Sequence, residues 1–97
     1  MTRLVILAAA LAAATSVQAQ ESARNLASAC AICHGTDGRA VTPNMISLAG
    51  LPRDHIASQM RAFRDGQRPA TVMHQIAKGY TDAQIDAMAA WFSAQKR

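Results

Sequence analysis

The chain has 97 residues, 51% of them apolar, and ten Lys and Arg against six Asp and Glu, a formal charge of +4. That excess is too small and too scattered to mark a nucleic-acid binder, and two cysteines are too few for a disulfide framework. The length confines the chain to one small domain. Residues 1–19 carry the pattern of a secretory signal peptide. Arg3 provides the positive start, residues 4–14 are unbroken apolar, and Val17-Gln18-Ala19 places small side chains for cleavage before Gln20. The apolar run is shorter than the roughly 20 residues of a membrane span. No cysteine follows it closely to carry a lipid. The expectation is an exported chain, residues 20–97, with no stable membrane anchor after cleavage and with nine basic against six acidic side chains.

The exported part opens on a predicted helix over 22–31, with Ser22 as its cap and Ala23, Leu26, Ala27 and Cys30 on one face. It runs into Cys30-Ala31-Ile32-Cys33-His34. Two thiols three residues apart with an immediate histidine form the attachment signature for a c-type haem. The cysteines can close thioether bonds to the two vinyl groups on one porphyrin edge, one helical turn spans that edge, and His34 can present a ring nitrogen to the iron. Zinc and dithiol redox chemistry also use Cys-x-x-Cys. A structural zinc site needs about four ligands, and there is no third cysteine, while His55 and His74 are far apart. A thioredoxin-like dithiol would sit in a strand–helix pattern, and no stretch here reads as strand. Export agrees with the haem reading, because bacterial haem attachment takes place outside the cytoplasmic membrane.

Residues 35–52 hold Gly35, Gly38, Pro43, Gly50 and Pro52 and read as a long irregular segment. Gly35 and Gly38 either let the backbone pass close to a porphyrin or are ordinary turn glycines, and Ile46, Leu48 and Leu51 could cover one side of the ring. A second helix is predicted over 53–65, with Ile56, Met60 and Phe63 on one stripe and Gly66 ending it. Arg53, Arg61, Arg64 and Arg68 either face solvent or form an electropositive docking surface for an acidic partner. A short helix is expected from Thr71, as cap, through Lys78. Thr81-Asp82-Ala83-Gln84 is a capping-box pattern opening the last helix, whose buried stripe is Ile85, Met88, Ala89 and Phe92, with Trp91 on its flank. The fold class is all-α. A domain this small needs a staple, which a haem supplies, so the haem-free chain is expected to be largely unfolded.

A six-coordinate iron needs a second protein ligand, and the candidates are Met45, Met60, Met73, Met88, His55 and His74. Met60 and Met88 lie on apolar stripes and His55 at an exposed helix start, while Met45 stands in the long loop. Met73 and His74 remain close rivals, since neighbouring helical residues point about 100° apart and one alone can face the iron.

The residues 30–35, Cys-Ala-Ile-Cys-His-Gly, together with Ser-Leu-Ala-Gly-Leu at 47–51 and Thr-Val-Met-His-Gln-Ile-Ala-Lys-Gly-Tyr-Thr-Asp at 71–82, resemble small class I cytochromes c. Ile-Asp-Ala-Met-Ala-Ala-Trp-Phe at 85–92 matches too. The resemblance implies short helices wrapped around one covalent haem c, Met73 as the distal ligand, and the Pro43 carbonyl as partner of the second nitrogen of His34. It also implies that the first and last helices cross, with Ala27 near Trp91 and Phe92. Residues 50–95 are especially similar to the haem subunit of flavocytochrome c sulfide dehydrogenases, many of which carry two haem motifs where this chain has one. The implied function is periplasmic one-electron transfer between redox proteins, with no catalytic acid, base or nucleophile. The chain would serve either as the electron-accepting haem subunit of a flavoprotein or as a diffusible carrier. A ligand-binding haem sensor or peroxidase subunit is the reading from another class, and it requires an open distal position.

Overall fold

The computed structural model describes residues 22–97, and the expected signal peptide and its cleavage site lie outside them. Residues 22–28 form α1, followed by α2 (Ala31–His34), a 3-10 turn at Thr36–Gly38, α3 (Arg53–Arg64), α4 (Met73–Ala77) and α5 (Asp82–Ser93). Among the described residues every regular element is helical, as the sequence led us to expect.

The first helix stops short of the haem-type motif instead of running into it. The Ser28 hydroxyl donates to the Asn25 carbonyl at 2.6 Å, the acceptor that the amide of residue 29 would use to continue the helix. The Cys30 amide then closes a tighter turn on Ala27 at 3.0 Å. The third helix ends as predicted, at Gly66 with φ +75°. There the Gln67 amide reaches back to the Ala62 carbonyl at 2.8 Å, closing the kind of C-terminal turn that left-handed glycine permits. The fourth helix is shorter than expected. Thr71 does not cap it; the cap position is Val72, which offers no side-chain acceptor.

The last helix follows its sequence closely. The Gln84 amide donates to Thr81 Oγ1 at 3.2 Å while the Thr81 amide donates to Gln84 Oε1 at 2.9 Å, so both halves of the capping box form. Ile85, Met88, Ala89 and Phe92 are buried, the stripe read from the sequence. They join Ala27, Ile56 and Ala57 in one cluster, which brings the first and last helices together, and Trp91 packs edge-on against Phe92 with centroids 5.2 Å apart. The core is thin. Among the described residues ten apolar side chains are buried and six of these are alanine, leaving Ile56, Ile85, Met88 and Phe92 as the large ones, each contributing about 1.5–3 kcal/mol by full burial.

All four arginines singled out as a docking face have partners within the chain. Arg61 pairs with Asp86 at 2.6 Å and Asp82 at 3.2 Å, and Arg64 with Asp82 at 2.7 Å and Asp65 at 3.1 Å. Arg68 donates to Gln59 and lies over the Phe63 ring, 4.9 Å from its centroid. Arg53 lies 3.6 Å from Asp54, with both side chains exposed. The network fastens α3 to the start of α5, so the docking reading loses most of its free charge. Hydrogen bonds from Arg64 and then Arg61 hold the Asp82 carboxyl below its ordinary value. A lowered carboxylate contributes stability above its unfolded-state pKa, and that contribution is lost as pH falls through the lowered value. Asp82→Asn should therefore melt earlier than the native protein at neutral pH and low salt, and the two melting temperatures should converge in acid. Thermal melts across pH check this; a gap that persists in acid points to packing instead.

Candidate functional site

The site grows from the turn at residues 30–35. Cys30 has helical backbone angles and caps α2, the His34 amide bonds to the Cys30 carbonyl at 2.8 Å, and the Cys33 amide lies 3.3 Å from the same oxygen. One helical turn therefore sets the two thiols three residues apart on one face, with His34 one step beyond. Both cysteines are free thiols; Cys33 is exposed and Cys30 half-buried. Burial pushes the Cys30 thiol up, and the neighbouring Cys33 adds to the shift. Among the described residues no group of three or more His, Cys, Asp or Glu side chains converges to hold a metal unaided.

Gly35 and Gly38 are required by the chain's own packing. At Gly35 (φ +84°) a Cβ would stand 1.8 Å from the Arg39 carbonyl oxygen. At Gly38 (φ +81°) it would meet the Phe92 ring at 2.8 Å. The first lets the chain reverse directly after His34; the second seats the turn on the last helix. Gly38 then gathers the far end of the loop, its carbonyl accepting from the Leu48 amide at 2.7 Å and the Ala49 amide at 3.1 Å.

That folded-back loop supplies the partner of His34. Nδ1 donates to the Ile46 carbonyl at 2.7 Å. The Pro43 carbonyl, expected there, is not the acceptor in this structure. The resemblance implied Pro43, whereas here the loop is pinned by its far end, through Leu48 and Ala49. The 47–51 segment noted in the sequence was the available signal, since it immediately follows the carbonyl concerned. With Nδ1 committed, Nε2 is the nitrogen left to ligate, and the hydrogen bond fixes tautomer and ring orientation.

The distal candidates separate by burial. Met88 is core, Met60 packs against the core, and His55 is exposed. Met45 lies on the exposed loop. Met73 and His74 are both half-buried at the start of α4, which packs on α3. His74 Nδ1 is enclosed and has no hydrogen-bond partner.

The residues fit a covalently held haem. Two unpaired thiols and an oriented imidazole share one turn, and a thioether and a second imidazole begin α4. The loop and α4 also carry apolar side chains left open for a flat apolar group to cover: Ile46 (61% exposed), Val72 (55%) and Ile76 (39%).

Comparison with known proteins points the same way. The family model described as "Cytochrome C oxidase, cbb3-type, subunit III" matches residues 17–92. The chain is 39% identical over 70 residues to cytochrome c-554(548) of Halomonas halodenitrificans, covering 69% of this chain and 84% of that protein. It is 41% identical over 69 residues to the cytochrome subunit of sulfide dehydrogenase of Chlorobaculum tepidum, covering 69% and 60%. It is 40% identical over 70 residues to the thiosulfate dehydrogenase electron acceptor of Thiomonas intermedia, covering 69% and 32%. The chain thus spans most of one of these relatives but about a third to three-fifths of the other two.

Proposed function

This chain belongs to the c-type cytochrome family described as "Cytochrome C oxidase, cbb3-type, subunit III", and from that premise we propose that it is a periplasmic one-electron carrier whose iron is held by His34 and Met73, accepting electrons from a flavoprotein that oxidises a reduced sulfur compound. As a c-type cytochrome it carries covalently bound haem c, and Cys30 and Cys33 are the two cysteines of the chain. The observation that carries the His34 assignment is the 2.7 Å bond from its Nδ1 to Ile46, which leaves Nε2 to the iron; Met73 rests on the resemblance to class I cytochromes c.

The haem supplies a one-electron couple; the chain determines what that couple can do. His34 would hold the iron through Nε2, while its Nδ1–H donates to the Ile46 carbonyl, so a backbone group would set the imidazole's donor strength. The Met73 thioether would be the second protein ligand to the iron, which would close the iron to substrates and raise the potential relative to bis-histidine ligation. Cys30 and Cys33 would hold the ring covalently and keep it from dissociating.

The sulfur-oxidising role is supported by the names of two relatives, the cytochrome subunit of sulfide dehydrogenase and the thiosulfate dehydrogenase electron acceptor. A freely diffusing carrier is the second reading, supported by the match along most of cytochrome c-554(548). Gentle purification from a periplasmic extract separates them. The flavoprotein reading predicts flavin co-eluting with the haem at fixed stoichiometry. Elution as haem protein alone, with full electron acceptance from several donors, contradicts it.

A further inference from the structure

We propose that Ser47 is a positioning residue for the iron ligand: its hydroxyl, by accepting from the Ala40 amide, holds the Ile46 carbonyl on His34 and so sets the donor strength of that imidazole. The inference rests on the reading of His34 as an iron ligand.

Ile46 cannot hold its own carbonyl in place, because its side chain is 61% exposed and anchors nothing. On its N-terminal side the nearest tie is the Met45 amide to the Thr42 carbonyl, a long 3.4 Å contact within the same loop. On its C-terminal side, Ser47 Oγ accepts from the Ala40 amide at 2.9 Å, joining the outgoing and returning limbs of the loop one residue from the carbonyl that matters. The outgoing limb is itself fixed, since Arg39 donates through Nη1 to the Lys96 carbonyl at 3.1 Å. Ser47 is thus the first firm attachment on either side of Ile46. Loosening it lengthens the bond to His34 Nδ1, reduces the imidazole's basicity, and favours the reduced iron.

The experiment is potentiometry on the intact haem protein, with proton NMR of the His34 ring N–H in the reduced state. Ser47→Ala should raise the potential, changing the ratio of oxidised to reduced protein at fixed potential by roughly threefold, about 28 mV for a one-electron couple. The His34 N–H should exchange faster in the same variant. Ser47→Thr, which keeps a hydroxyl, should restore both. Ser58→Ala deletes a comparable hydroxyl, bonded at 3.1 Å to His55 within α3, and should change neither. An unchanged or lowered potential in Ser47→Ala with the N–H still protected overturns the proposal, and so does an equal shift in Ser47→Thr. A native protein without covalent haem overturns the underlying reading as well, and is recognised by its lack of a c-type spectrum.

Discussion

Met73→Ala should abolish the sulfur-to-iron charge-transfer absorption of the oxidised protein and let the reduced protein bind carbon monoxide readily. Removing the thioether opens one axial position while leaving His34 and its Ile46 partner untouched. The same substitution should lower the potential, since methionine ligation raises it. His74→Ala should retain the absorption band, because adjacent helical residues cannot both face the iron. The pair of spectra decides between the two residues that the sequence left as rivals. A band that survives in Met73→Ala and disappears in His74→Ala would move the assignment one residue along α4.

The second large effect concerns folding. The Cys30→Ser/Cys33→Ser double variant, expressed without attached haem, should show collapsed amide dispersion and little cooperative melting. Among the described residues the buried set contains four large apolar side chains and six alanines, a core too small to offset the ordering of a domain of this length without a staple. The exposed apolar side chains Ile46, Val72 and Ile76 would stay uncovered in this variant. Nuclear magnetic resonance spectra of the native haem protein and the variant check this directly. A well-dispersed spectrum for the haem-free chain would mean that the helices carry their own stability.

Much of this was legible in the chain because its determinants are local. The Thr81–Gln84 capping box, the Ile85–Phe92 stripe and the Gly66 stop each depend on residues within two helical turns, and all three form. The Cys30–His34 turn is likewise complete within five residues. What escaped depends on distant partners or on backbone atoms. The carbonyl that meets His34 belongs to Ile46 because residues 48 and 49 are tied to Gly38, and a carbonyl has no side-chain signature. The engagement of Arg61 and Arg64 by Asp82 and Asp86 joins residues about twenty apart, so a charge cluster in sequence became an internal clasp. The early end of α1 came from one serine hydroxyl competing for a helix carbonyl, and Thr71 failed as a cap because the helix begins two residues later.

The closed electron carrier and the open ligand-binding protein differ at one coordination position, and one measurement reads it. The reduced native protein is exposed to carbon monoxide and its visible spectrum followed. With Met73 holding the sixth position, the spectrum should stay unchanged at gas concentrations that convert Met73→Ala completely. Prompt conversion of the native protein to a carbon monoxide complex would contradict the carrier assignment.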